Sequence, residues 1–474
     1  MTLTRTIAHN TIVQVIGKII STIIGLVVIG ILTRYLGEKG FGQYTTIMAY
    51  LQMFGVIVDM GLYVMLVKKI SEERVDEQYT ASNIFTMRLI SAVVFLGIAP
   101  LIALMLPYAT EVKIGIAITT VAFLGVTLNQ ALSGIFQKHL KMYRVSIAEV
   151  LGRLALLGVT WCVVQSELGL FWVMVAVVAG SALNFIATYL YSRSLIKLRL
   201  IFDFPYWRTI IKETWPIALS IVFNLVYFKA DTVILSLMRP EAEVGVYGSS
   251  YKVLEVLTTF PAMFAGLILP LLAAAWSLGD RERFKKVLQK AFDFLIMIAL
   301  PLIGGTWVLA KPVMRLITGE GFADAGPILQ ILIVATATIF VGNLFGNSVV
   351  AINRQRTMMW LYLVVAIISL GGYLYFIPKF SYFGAAGVTV GSEILITISA
   401  AAIVLSATKV RLSLLKAGKV FLAAIIMTLT LMTFNELNIF LLIGIGFVEY
   451  GVLLLLFRGV TKEMLLDIIR LRQS

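Results

Sequence analysis

Five basic residues lie inside long apolar stretches of the sequence, where a charge is costly unless it meets a partner. On insertion scales a charge at the centre of a membrane helix costs about 2.5–3.5 kcal/mol, so such residues usually face protein or a water-filled cavity. Arg and Lys offer the multivalent cationic hydrogen-bond donors that suit phosphate groups. The pattern therefore indicates an anion-binding site at membrane depth. The five residues are Lys18, Arg88, Arg153, Lys229 and Lys252.

Pairing within one helix would neutralise some of these cations. Two pairs have helical spacing: Glu149 with Arg153, and Lys252 with Glu255. Lys229 and Asp231 are two residues apart and point to roughly opposite sides of a helix. Lys18, Arg88 and Lys229 therefore have no acid at helical spacing and are the strongest candidates for binding an anion. In the alternative interpretation, Lys18 and Arg88 each meet an acid on a neighbouring helix or extend to the interface.

Three of the buried acids could carry a coupling ion. Asp59, Asp231 and Glu393 lie in apolar stretches, where a carboxylate can bind a proton or a sodium ion. Structural pairing explains the same residues equally well, and both interpretations stay open.

The composition is typical of a membrane protein. Of the 474 residues, 60% are hydrophobic and 14% are charged, and the mean hydropathy is +0.96. Soluble domains have about 45–50% apolar and 25% charged residues. One cysteine and two histidines argue against a disulfide framework, a metal site or haem. We predict no cofactor and no metal, and the absence of nucleotide-binding motifs or a large loop argues against an enzyme.

Apolar stretches of about 20 residues recur along the chain, which predicts an all-α integral membrane protein with about fourteen transmembrane helices. The first stretch is too long for a signal peptide and is interpreted as a membrane helix. The predicted helices span residues 11–33, 41–67, 80–105, 114–136, 145–165, 169–191, 214–237, 244–275, 291–316, 327–351, 358–378, 384–407, 420–434 and 438–457.

The basic residues orient these helices. If the N-terminus is cytoplasmic, roughly 27 of the 39 Lys and Arg residues fall in cytoplasmic segments and about five fall outside. This bias predicts a multi-pass protein of the plasma membrane with both termini in the cytoplasm. Orientation and attraction to membrane lipids account for the net charge of +14, so no nucleic-acid partner is expected.

A weak internal repeat divides the chain. Gly42 matches Gly245 and Tyr44 matches Tyr247, at one offset of 203 residues and six predicted helices apart. Six is an even number, so both copies have the same orientation, which indicates a parallel repeat as in alternating-access transporters. The predicted organisation is an N-lobe at 1–191, a cytoplasmic interfacial linker at 192–213, a C-lobe at 214–407, two extra helices at 408–457 and a cytoplasmic amphipathic tail at 458–474.

Four short segments resemble those of one transporter family. The segment LTRYLGEKGFGQY at 32–44 resembles the first connector of Wzx-type polysaccharide flippases. The start of that family's second lobe is similar to three later segments, which are DTVIL at 231–235 (beginning with Asp231), VGVY at 244–247 and YKVLE at 251–255. The wider group is the multidrug/oligosaccharidyl-lipid/polysaccharide exporter superfamily, which includes lipid II flippases and MATE antiporters.

The resemblance implies a V-shaped pair of six-helix lobes around a central cavity, and a polyprenyl-diphosphate-linked oligosaccharide as substrate. It also suggests that the two extra helices form a groove for the lipid tail. A polysaccharide polymerase or glycosyltransferases are further expected partners. The function expected is transfer of the lipid-linked sugar from the cytoplasmic to the outer leaflet.

The depths of the cations suggest how the head group moves. Lys18, Arg88 and Arg153 lie in the inner half of the first lobe, about 10–12 Å from the helix ends. Lys229 and Lys252 lie nearer the outside in the second lobe. We expect the first set to capture the diphosphate and the second to receive it. Arg34, beside the outer mouth, would assist its release.

Two other functions compete with this one. A MATE-type antiporter of organic cations usually has twelve helices and needs carboxylates in its cavity. A membrane glycosyltransferase or polymerase would need a sizeable loop with a carboxylate cluster. Neither pattern is typical of this sequence.

Overall fold

The computed structural model describes residues 3–72 and 75–459, with the side chains of residues 3–9, 11, 12, 216, 217, 220 and 225–228 left out. Nearly all of these residues are helical, and none of the described residues forms a β-strand. The predicted amphipathic tail, from residue 460 onward, lies outside the described residues.

Thirteen α-helices follow one another along the described chain, with one short 3-10 helix at Glu320–Phe322. They are α1 (Leu3–Asp59), α2 (Leu62–Ile70), α3 (Glu77–Met105), α4 (Thr110–Lys138), α5 (Met142–Gln165), α6 (Leu170–Ser192), α7 (Phe204–Met238), α8 (Glu241–Ser277), α9 (Arg281–Thr318), α10 (Ala325–Ala351), α11 (Gln355–Thr408), α12 (Leu415–Thr433) and α13 (Ile439–Leu456).

Two of the helices are long enough for two membrane crossings each. The 57 residues of α1 are interrupted at Gly37 (φ 64°, ψ −175°), and the 54 residues of α11 at Ser381 (φ 51°, ψ −133°). One crossing needs about 20 residues, so each helix contains two spans separated by a non-helical residue. These interruptions fall between the predicted spans 11–33 and 41–67, and between 358–378 and 384–407.

The fourteen predicted spans all fall on helices. Eleven helical stretches within the described residues are long and apolar enough to cross a membrane, and they include Val13–Ile70 and Gln355–Thr408 as the two double stretches. Helix α7, with 35 residues, covers the remaining predicted span. The protein is therefore a multi-pass, all-helical membrane protein, as the sequence predicts.

The chain forms two compact units. Among the described residues, unit 1 comprises those of 3–248, 317–321 and 370–382 outside the gap at 73–74, and unit 2 comprises residues 249–316, 322–369 and 383–459. Unit 1 has a buried cluster in which Leu66 of α2 packs with Phe85 of α3, Phe136 of α4 and Ile210 of α7. In unit 2, Leu309 of α9 packs against Met427 of α12 and Leu442 of α13, which attaches the last two helices to α9.

The two glycines of the predicted repeat contact each other within unit 1. A Cβ atom at Gly42 would overlap the carbonyl oxygen of Glu241 and lie 3.0 Å from the backbone nitrogen of Gly245. A Cβ atom at Gly245 would overlap the carbonyl oxygen of Glu38 and lie 2.9 Å from the nitrogen of Gly42. Glu38 and Glu241 are themselves 203 residues apart, so the two copies of the repeat make the same contact in reverse.

Substituting Gly42 tests this close approach. We expect Gly42→Ala to destabilise the protein by roughly 1–3 kcal/mol, because the added methyl group overlaps backbone atoms that cannot rotate away. The measurement is the thermal unfolding midpoint of the purified protein in detergent. Gly97→Ala is the matched control, since a Cβ atom at Gly97 of α3 meets nothing within 4 Å. Equal midpoints for the two variants would contradict the contact.

Candidate functional site

Helices α1 and α5 approach closely at Gly17 of α1. A Cβ atom at Gly17 would lie 2.8 Å from the Cβ of Ser146. Further along α1, a Cβ atom at Gly25 would lie 3.9 Å from Nη1 of Arg153, which is an ordinary van der Waals contact. This packing brings the charged residues of the two helices together.

Lys18 of α1 forms an ion pair with Glu149 of α5. The Nζ–Oε1 distance is 3.1 Å, and the side chains are 41% and 28% exposed. The prediction that Glu149 pairs with Arg153 is therefore wrong, because the packing of α1 offers Glu149 another cation. The structure shows the alternative interpretation for Lys18, an acid on a neighbouring helix.

Arg153 lies one helical turn from Glu149 and is exposed. No hydrogen bond or ion pair to its guanidinium occurs among residues 3–72 and 75–459. It is 11 residues from the start of α5, about 16 Å into an apolar helix. We name Lys18, Glu149 and Arg153 the cationic strip. Its net charge is positive, and an exposed cation at this depth needs water or a polar partner.

Arg88 of α3 is held on several sides. Its Nη1 donates to Oδ1 of Asp59, and its Nη2 donates to Oε1 of Gln130 at 2.6 Å. The side chain is 0% exposed, and its buried Nε has no hydrogen-bond partner among the described residues. A guanidinium without exposed surface cannot contact a ligand in this conformation, so Arg88 organises unit 1 rather than facing a cavity.

Asp59 marks a break in the second span that sequence reasoning missed. Helix α1 ends at Asp59, and Met60 (φ 39°) and Gly61 (φ 75°) adopt left-handed conformations before α2 begins. The Asp59 carboxylate also accepts a hydrogen bond from the backbone N–H of Tyr63 at 3.4 Å. The signal in the sequence was Asp-Met-Gly within an apolar stretch, since glycine favours positive φ.

Asp231 of α7 is fully buried and satisfied by hydrogen bonds. Its carboxylate accepts bonds from the Tyr247 hydroxyl at 2.5 Å and from the backbone N–H of Thr232 at 2.5 Å. Lys229 also acts on it electrostatically. Tyr247 is the tyrosine of the repeated motif, so the motif positions an acid of the preceding helix.

Arg34 and Lys252 have defined partners. The Nη1 of Arg34 donates to the carbonyl oxygen of Gly30 at 2.9 Å and to that of Ile317 at 2.7 Å, near the end of α9. Lys252 pairs with Glu255 at 2.7 Å, which confirms the predicted pair.

Glu393 of α11 is 5% exposed, and no hydrogen bond or ion pair reaches its carboxylate from the part of the chain that the structure describes. Two hydrogen bonds involve residues near Glu393 along α11. Ser392 and Ser369 are hydrogen-bonded at 2.6 Å, and the Thr397 hydroxyl donates to the carbonyl oxygen of Thr338 at 3.3 Å. Glu393 therefore differs from Asp59 and Asp231, each of which has a hydrogen-bonded partner.

Comparisons with known proteins agree with this architecture. Residues 7–276 match the family model described as polysaccharide biosynthesis protein, and residues 216–372 match the MatE model. The first match covers more than half of the chain. The chain belongs to the polysaccharide biosynthesis protein family.

Relatives of this family member include two named transporters of glycans. It is 21% identical to a probable low-salt glycan biosynthesis flippase of Haloferax volcanii, over 94% of this chain and 96% of the relative. It is 20% identical to a putative O-antigen transporter of Shigella flexneri, over 80% and 93% of the two chains.

Solved structures share its fold. The lipid II flippase MurJ in an inward closed conformation has a TM-score of 0.79 at 15% identity, covering 94% of this chain and 99% of that one. An inward-facing MATE family multidrug resistance transporter has a TM-score of 0.67 at 16% identity, covering 84% and 98%. The fold is therefore that of MurJ-like and MATE-like transporters.

The buried Arg88–Asp59 pair generates a stability prediction. We expect Asp59→Ala to destabilise the protein by about 3–5 kcal/mol, because the substitution leaves the Arg88 charge buried without its acid. Unfolding in detergent, followed by temperature or denaturant, measures the effect. The double variant Asp59→Leu with Arg88→Leu removes both charges and should recover much of the lost free energy of unfolding. Glu149→Ala, in the partly exposed pair, is the control and should cost far less. A similar loss for Asp59→Ala and Glu149→Ala would contradict the prediction.

Proposed function

We propose that this protein is a flippase that moves a polyprenyl-diphosphate-linked oligosaccharide from the cytoplasmic to the outer leaflet by alternating access, for synthesis of a cell-surface polysaccharide. The observation that carries the proposal is the cationic strip, a net positive and exposed site at membrane depth. Family membership and the glycan transporters among the relatives support the same substrate class.

Lys18 and Arg153 are the residues that first bind the diphosphate. Arg153 forms no hydrogen bond or ion pair with any of the described residues, so its guanidinium is available to a phosphate oxygen. Glu149 holds Lys18 in position while the site is empty. A diphosphate carries more charge than one carboxylate and accepts several hydrogen bonds, so it competes for Lys18.

Lys229 and Lys252 receive the head group in the later step, and Arg34 assists its release. Lys252 is partly exposed although it pairs with Glu255, so the same exchange of a carboxylate for a phosphate applies to it. Arg88 is a positioning residue in this mechanism, because its hydrogen bonds to Asp59 and Gln130 hold α3 against α1 and α4.

Glu393 carries the coupling ion. A buried carboxylate without a hydrogen-bond or ion-pair partner costs free energy, so it binds a proton or a cation. Asp59 is neutralised by Arg88, and Asp231 is satisfied by Tyr247 and Thr232. Asp59 and Asp231 therefore rank after Glu393 as candidates for binding the coupling ion.

The protein lies in the plasma membrane with both termini in the cytoplasm, and it acts beside the polymerase and glycosyltransferases that use the same lipid-linked sugar. The last two helices, α12 and α13, accompany the lipid tail. Transport requires no catalytic residue, and we assign none.

A second candidate function is ion-coupled export of organic cations, as in MATE proteins. The MatE match at residues 216–372 and the MATE structures favour it. An organic cation would be repelled by exposed Arg153 and Lys18, so the flippase is the better supported function.

Neutralising the strip tests the substrate site. In liposomes with a fluorescent polyprenyl-diphosphate-linked oligosaccharide, we expect Lys18→Gln with Arg153→Gln to lower leaflet exchange at least roughly tenfold, because two charge-assisted contacts to phosphate are lost. Lys18→Arg should retain most of the activity. Lys285→Gln, an exposed residue of α9, is the matched control. Wild-type exchange by the double variant would remove the strip from the mechanism.

Substituting Glu393 tests the coupling. We expect Glu393→Gln to transport at the rate measured without an ion gradient, with no acceleration when a proton or sodium gradient is imposed, because the amide cannot be ionised. Glu436→Gln, an exposed residue beyond the end of α12, should keep the wild-type response. The assignment fails if Glu393→Gln still responds to the gradient.

A further inference from the structure

The connector between α6 and α7 runs along one helix of unit 1 in an extended conformation. The backbone N–H of Arg199 donates to Oγ of Ser82, and that of Ile201 donates to Oγ1 of Thr86, both at 3.1 Å. Successive side chains of an extended chain point to opposite sides. Leu200 and Phe202, on either side of Ile201, are both exposed.

The end of the connector is fixed to the same face of α3. The indole Nε1 of Trp207 donates to Oδ1 of Asn83 at 3.0 Å, and the Tyr79 hydroxyl donates to the Asp203 carboxylate. Asp203 also accepts the backbone N–H of Tyr206 and so caps α7. The bonds from Tyr79 and Tyr206 lower the pKa of Asp203, so this cap stays ionised at neutral pH.

Three large apolar side chains remain exposed on this anchored segment. Leu200, Phe202 and Phe204 are 60%, 59% and 68% exposed. The rings of Phe202 and Phe204 lie 6.0 Å and 5.1 Å from the ring of Trp207. The apolar surface is therefore held in place and still turned outward.

The first three turns of α7 extend this surface. Phe204, Arg208, Ile211, Lys212 and Trp215 recur at helical spacing and are all exposed. The 35 residues of α7 measure about 52 Å, whereas the hydrocarbon core of a bilayer is about 30 Å thick. The predicted span begins at residue 214, so most of these turns extend beyond that span.

Residues 193–215 contain five basic residues and two acids, so the surface carries a net positive charge. Its two acids have other partners, since Asp203 accepts from Tyr79 and Glu213 pairs with Lys69 at 3.1 Å. The exposed basic residues without an ion pair among the described residues are Arg193, Lys197, Arg199, Arg208 and Lys212.

We propose that this surface, residues 193–215, binds anionic phospholipids of the leaflet that it faces. The basic side chains contact the lipid phosphates, and the aromatic rings lie at the level of the headgroups, where aromatic residues are favoured. Bound lipid thereby holds the start of α7 against α3. The inference goes beyond the proposed transport, because it concerns bulk lipid and not the cargo.

Selective quenching by brominated lipid tests the interface. Thr209→Cys, in a Cys162→Ser background, carries a fluorophore between Arg208 and Ile211. The protein is placed in phosphatidylcholine vesicles that contain a minor fraction of phosphatidylglycerol. At equal bromine content, we expect brominated phosphatidylglycerol to quench at least about twofold more strongly than brominated phosphatidylcholine. The variant with Lys197, Arg199, Arg208 and Lys212 all changed to Gln should show no preference.

A control variant removes the same number of charges elsewhere. Arg281, Arg283, Lys285 and Lys286 of α9 are exposed, and changing all four to Gln should leave the preference intact. Equal loss in this control would show a general attraction to basic surfaces and would overturn the proposal. Equal quenching by both brominated lipids in the wild-type protein would also overturn the proposal. The same holds if the protein shows a preference only for added polyprenyl diphosphate and none for phosphatidylglycerol. Changing Leu200, Phe202 and Phe204 to Ser should weaken quenching by both lipids.

Discussion

A charge inside an apolar helix needs a partner, and the interior of unit 1 is organised around the ways in which partners are supplied. Arg88 has the most complete set of polar partners, because Asp59 neutralises its charge and Gln130 accepts a further hydrogen bond from it. Lys18 has one acid and keeps an exposed side. Arg153 has neither acid nor acceptor among the described residues. This gradation separates an enclosed cation, Arg88, from two cations that keep exposed surface, Lys18 and Arg153.

Close helix packing decides which charges meet. Gly17 lets α1 approach α5, and the ion pair of Lys18 and Glu149 follows from that approach. Gly42 and Gly245 allow two backbones to touch at the repeated motif. Glycine is found at both contacts because it has no side chain, and two helix backbones can come so close only where a side chain is absent.

The repeat preserves backbone geometry but only part of the charge pattern. Glu38 and Gly42 make the contacts that Glu241 and Gly245 make in return. At the same offset, however, Asp231 corresponds to Val28 and Lys252 to Ala49. The two copies therefore share a packing solution and one acid, while the charged residues Asp231 and Lys252 occur in the second copy alone.

Composition and hydrophobic periodicity determined the number and approximate position of the spans, because twenty apolar residues have few alternatives to a membrane helix. Local spacing likewise determined the pair of Lys252 and Glu255, which lie one turn apart. The partners of Lys18 and Arg88 were decided only by the tertiary structure, since Glu149 and Asp59 lie on other helices and no local pattern encodes that contact. The break at Met60 and Gly61, and the difference between an enclosed Arg88 and an exposed Arg153, depend on how helices pack. Burial is a property of neighbours that are distant in the chain, so it could not be read from the sequence around each residue.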